Sequence, residues 1–183
     1  MNPSGLINLL RRINSGVAVA VGVGVLACAA FVMVEVVFRK LGSSLAGTDE
    51  ISGYVMAIGT SWGMACALIE LAHVRIDLMR TRLAERGRAL MDIFSMIVLS
   101  GVAILIALRA WPVLERSLAN SARANTPLET PLWLVQGPWL AGWIWFALVA
   151  CILTLASLAL LARSDDAGVD AAIGLRSETD EFL

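Results

Sequence analysis

The chain has 183 residues, of which 58% are hydrophobic and 16% charged, with a mean hydropathy of +0.79. Soluble domains carry about a quarter charged residues, so this composition excludes a water-soluble fold and points to a bilayer. A net charge of −1 and a pI near 5.8 supply no broad basic field, which removes nucleic acid as a partner.

A hydrocarbon core of ~30 Å needs about 20 apolar residues at ~1.5 Å per residue, and four tracts of that kind predict an all-α integral membrane fold. The first span covers about residues 16–38: Val17 to Val34 is uncharged, and the run passes Glu35 before Arg39 and Lys40 stop it. The second covers 51–72, uncharged from Ile51 to Ile69 and ended by Glu70 and His73. The third, 89–111, has its core between Asp92 and Arg109 and is the shortest. The fourth apolar tract starts before Pro131, but Pro131 and Pro138 each lack a backbone donor, so continuous helix is expected over 138–162. Together these make one membrane domain over residues 1–163, followed by an acidic, flexible tail over 164–183.

Four spans place both termini on one side, and the arginines choose the side. Arg11, Arg12, Arg75, Arg80, Arg82, Arg86, Arg88, Arg163 and Arg176 fall with the termini, against Arg39, Lys40, Arg109, Arg116 and Arg123 opposite. Positive flanks resist translocation, so both termini are expected in the cytoplasm. Trp111, Trp133, Trp139, Trp143 and Trp145 then gather at the outer ends of the third and fourth spans as interfacial anchors. Arg11 and Arg12 ahead of an apolar stretch imitate a secretory signal, yet the run continues well past Cys28, which favours a retained helix. No residue pattern recurs between the two helix pairs, so a pathway built from repeats has no support.

Cys28, Cys66 and Cys151 lie within apolar runs, and an odd count without Cys-x-x-Cys spacing supports neither disulfides nor zinc. His73 is the only histidine and has no Cys or acid pair at ligand spacing, so it reads as a polar anchor. No metal site, cofactor or catalytic constellation is expected. Glu35 is the one acid flanked by apolar residues well inside a span boundary, and an intramembrane carboxylate is by default a coupling candidate. Its position one turn before Arg39 favours the plainer reading of a boundary acid paired with that arginine. Between the second and third spans, Ile76, Met79, Leu83 and Leu90 recur at helical spacing among Arg75, Asp77, Arg80, Arg82, Glu85, Arg86 and Arg88. That pattern predicts a basic helix lying at the cytoplasmic headgroups. Gly59 and Gly63 form a GxxxG pair that allows close helix approach, within this chain or toward a partner.

The string from Asp49 to Asp77 adds a resemblance. Asp49-Glu50 opens a Gly-rich helix through Gly59 and Gly63, closed by His73-Val74-Arg75-Ile76-Asp77. It resembles the small membrane subunit, DctQ-like, of tripartite ATP-independent periplasmic (TRAP) transporters, where an acidic pair opens the second helix and His-x-x-x-Asp with an intervening Arg closes it. Thr126-Pro127-Leu128, Pro131, Trp133 and Gly137-Pro138 are similar to that family's external loop before its last helix. The resemblance covers about residues 8–163 and leaves the acidic tail outside.

The resemblance implies a non-enzymatic subunit of a secondary importer in the bacterial cytoplasmic (inner) membrane. A periplasmic solute-binding protein delivers an organic acid, a large membrane subunit carries the solute and sodium sites, and the small subunit braces the complex. Glu50, His73, Arg75 and Asp77 carry over as structural or interface residues. The residues themselves agree on one point: the spans hold too few polar groups to bind a carboxylate solute and its coupling ions unaided. Two other classes stay open, a small proton-coupled exporter using Glu35 and a lipid-modifying enzyme built on the basic 73–92 stretch.

Overall fold

The computed structural model describes residues 3–70, 84–163 and 166–173. They form five helices: α1 (Pro3–Lys40), α2 (Thr48–Ile69), α3 (Glu85–Ala119), α4 (Leu132–Ala162) and α5 (Asp166–Ile173). The first four are long and apolar enough to cross a membrane, as the runs of uncharged residues require. The segment expected to form a basic interfacial helix falls largely on residues 71–83, outside the described residues; Glu85, Arg86 and Arg88 belong to the first turn of α3.

The helices overrun the apolar tracts. Backbone hydrogen bonding does not stop where side chains turn polar, so α3 continues through Pro112 to Ala119. Helix α4 begins at Leu132, ahead of Pro138 where continuous helix was expected to start. Pro131, extended at φ −62°, ψ 119°, serves as its N-cap. Pro138 then deletes only the bond to the Leu134 carbonyl, and Leu134 is exposed. Near a helix end that missing bond is tolerated, because a neighbouring polar group or water can serve the freed carbonyl.

Helix α1 packs on α2, α2 on α4 and α4 on α3, giving the lateral order α1, α2, α4, α3. The central position suits α4, which has no charged residue between Leu132 and Ala162. Its Phe146, Val149, Ala150 and Leu153 meet Met96 and Ala103 of α3 in the core. At mid-height the Ser100 and Thr154 hydroxyls lie 2.8 Å apart, and each has a carbonyl of its own helix at 2.8 Å, Met96 O and Ala150 O. The hydroxyls are therefore satisfied without water. Helix α1 is lateral, and none of its apolar window is buried within the chain.

The tail expected to be flexible from residue 164 contains α5, which packs across α3 and α4 with Val169, Ala172 and Ile173 buried. The count of acids hid an apolar face of three residues.

Candidate functional site

The α1–α2 and α3–α4 loops meet at one end of the bundle. Helix α1 ends in a Schellman motif: Gly42, at φ +84°, donates to Arg39 O, and Ser43 donates to Phe38 O at 3.0 Å. This turns the chain back over α1, where Glu35 receives it. Glu35 is 1% exposed. Its Oε1 accepts from Ser44 Oγ at 2.9 Å and Arg39 Nη2 at 3.2 Å, while Oε2 accepts from the Leu45 N–H at 2.7 Å. The pairing with Arg39 was legible at i+4. The two loop donors, nine and ten residues onward, were not.

Helix α2 starts at Gly47, whose φ of +88° disfavours a side chain. The glycine is also needed for space, because a Cβ there would stand 2.5 Å from Leu128 Cγ. Leu128 thus seats the α3–α4 loop on the start of α2. That loop leaves α3 through a second Schellman turn, with Ser121 at φ +46° and Ala122 donating to Ser117 O at 2.9 Å. It closes on itself through Ala124 N–H to Thr130 O and Leu132 N–H to Ala122 O.

Glu50 lies between the two loops. Its Oε1 accepts from the Tyr54 hydroxyl at 2.6 Å, its Oε2 is buried without a hydrogen-bond partner, and Thr126, Leu128 and Thr130 of the second loop lie nearby. Arg39, Ser44, Asp49, Glu50 and Thr126 are among the walls of a half-open polar cavity of about 250 Å³ at this end. Glu35 therefore ties the first loop to α1, while the hydrogen bond of Glu50 to Tyr54 stays within α2.

Within this chain, the close crossing of α2 and α4 does not use the GxxxG pair. A Cβ on Gly59 would meet Val21 and Val25 of α1 at ordinary distances of 3.6 and 3.5 Å, and one on Gly63 would meet nothing within 4 Å. Gly142 of α4 is pressed hard against α2. A Cβ on it would overlap Ser61 Oγ and lie 2.9 Å from both Ser61 Cβ and Trp62 Cδ1. Trp62 Nε1 donates to Pro138 O at 3.0 Å across the same crossing. Sequence reasoning missed Ser61, Trp62 and Gly142. The signal was available in Ala141-Gly142, a small pair set between Leu140 and Trp143.

Of the tryptophans expected as interfacial anchors, Trp111 and Trp133 are exposed and Trp139 is partly buried. Trp143 packs edge-on against Phe146 with ring centroids 6.0 Å apart, and its Nε1, like that of Trp145, is buried without a partner. Both of these indoles pack against the core. His73, Arg75 and Asp77 lie outside the described residues. Among the described residues no three His, Cys, Asp or Glu side chains converge as metal ligands.

Four helices long and apolar enough to cross a bilayer define a multi-pass membrane protein. The sequence profile of a family described as "Tripartite ATP-independent periplasmic transporters, DctQ component" matches residues 28–163, well over half of the chain, and the chain belongs to that family. The resemblance drawn from the Asp49–Asp77 string is borne out. No curated protein and no solved structure matches the chain.

Proposed function

We propose that this chain is the small, non-catalytic membrane subunit of a TRAP-type importer, bracing a large transport subunit for sodium-driven uptake of an organic acid. In this reading a periplasmic solute-binding protein delivers the solute. The chain sits in the bacterial inner membrane with both termini cytoplasmic, so the loop end bearing Glu35 and Glu50 faces the periplasm. The family match over residues 28–163 is the observation that carries the reading.

The polar groups support it. Ser100 and Thr154 share their two hydroxyl protons between each other and the Met96 and Ala150 carbonyls, so neither needs an outside partner. Glu35 is committed to Arg39 of its own helix and to two loop donors, each of which loses its acceptor charge when the acid takes a proton. Such a carboxylate is suited to clamping rather than to proton exchange, which weighs against the exporter. His73, Arg75 and Asp77 retain the interface role that the family resemblance gives them.

Vesicles test this reading. Membranes containing this chain together with its large subunit and solute-binding protein take up solute when a sodium gradient is imposed, and vesicles with this chain alone do not. Proton-driven flux from the isolated chain, abolished by Glu35→Gln, would establish the exporter instead.

A further inference from the structure

Helix α5 spans eight residues, Asp166–Ile173, with Gly168 in its interior. Isolated helices shorter than ~12–15 residues are marginal in water even when rich in alanine, and an interior glycine weakens them further. Local propensity therefore does not account for α5; its docking does. Val169 is fully buried, Ile173 is 1% exposed and Ala172 is buried. These side chains share a core cluster with Ala89 and Ile93 of α3, which Leu160 and Leu161 of α4 flank. The α3 face concerned also carries Asp92, itself buried. The family match ends at residue 163, so α5 lies beyond the matched domain while contributing to its core.

We propose that α5 is a strap with two states, docked and helical or released and unfolded, that ties the start of α3 to the end of α4. The link from α4 is short, since the helix ends at Ala162 and α5 begins at Asp166. A released strap therefore stays tethered beside its seat, and redocking is intramolecular. Docking and helix formation are one event, because an eight-residue helix does not persist without the burial of Val169 and Ile173. The start of α3 is also the far end of the connector that leaves α2. The strap thus fixes the end of the bundle from which that connector departs.

Cysteine labelling of the full chain, purified in detergent in a background lacking Cys28, Cys66 and Cys151, tests the strap. Ile173→Cys should react with a water-soluble maleimide at least ~10-fold more slowly than Glu85→Cys, an exposed position of α3. Adding Val169→Asp should remove most of that protection and open residues 164–173 to proteolysis, because burying an unpaired carboxylate opposes docking. In parallel, truncation after Arg163 should lower the thermal midpoint by several degrees relative to truncation after residue 173. Equal labelling of Ile173→Cys and Glu85→Cys, or protection that survives Val169→Asp, would overturn the proposal. So would two truncations of equal stability. Should the shorter truncation fail to fold, the labelling comparison still decides.

Discussion

Replacing Gly142 by alanine tests the α2–α4 crossing directly. The added methyl overlaps Ser61 Oγ and sits 2.9 Å from Ser61 Cβ and Trp62 Cδ1, where carbon atoms prefer about 3.5–4.0 Å. Rotating the Ser61 hydroxyl away relieves the first overlap only. Ser61 Cβ and the indole stay in place unless α2 and α4 part by several tenths of an ångström. Overpacking of this kind costs about 1–3 kcal/mol. Lengthening the 3.0 Å bond from Trp62 to the Pro138 carbonyl forfeits about 0.5–1.5 kcal/mol more. Alanine's better helix propensity returns about 0.5–1 kcal/mol, leaving a net destabilisation of about 0.5–4 kcal/mol. At roughly 2–4 °C per kcal/mol for a chain of this size, the midpoint falls by roughly 1–16 °C. The control is Gly63→Ala, where nothing lies within 4 Å of the new methyl. It keeps the propensity gain without the clash and should be neutral or stabilising by up to about 1 kcal/mol. Thermal unfolding of the detergent-purified chain, followed by near-ultraviolet circular dichroism, measures both variants. A Gly142→Ala chain as stable as the parent, or a Gly63→Ala chain equally damaged, refutes this account of the crossing.

Gly47→Ala should destabilise by about 1–2 kcal/mol from its left-handed backbone alone, and more from overlap with Leu128. A Leu128→Ala background should absorb part of the loss, giving a less than additive double-mutant cycle in denaturant unfolding. Glu35→Gln puts an amide where the carboxylate accepts from three donors, so the first loop should loosen, seen as faster labelling of Ser44→Cys. Transport by the assembled complex should stay within a few-fold of normal. Thr154→Val, which removes the hydroxyl facing Ser100, should cost about 0.6–2 kcal/mol, the scale of hydrogen bonds between membrane helices. Asp77→Ala should lower recovery of the large subunit in pull-downs while leaving the solute affinity of the surviving complex unchanged.

The spanning helices were legible because uncharged runs of some 20 residues have one solution in a bilayer. Their ends were less so. Pro138 reads as a start, but helix continues across it from Leu132 because one lost backbone bond near an exposed end is cheap. Glu35 shows the same limit in a polar setting. Spacing reveals its i+4 arginine, whereas burial by Ser44 and Leu45 depends on how Gly42 turns the chain, a tertiary consequence. The glycines divide by neighbour rather than by motif: a Cβ on Gly59 would meet α1 at ordinary distances, one on Gly63 would meet nothing within 4 Å, and Gly142, outside any GxxxG pair, carries the tight crossing. In the tail, charge composition masked Val169 and Ile173, since a short helix is invisible until its seat on α3 and α4 is known.

The central claim is that this chain works as one component of a larger membrane assembly. A tag on this chain, extraction of native membranes in mild detergent, and mass spectrometry of the intact purified species test it in one measurement. The account predicts a stable complex containing one copy of this chain and one copy of a larger, many-helix membrane subunit. Recovery of this chain alone, or only as copies of itself, under conditions where other membrane complexes survive extraction, would contradict it.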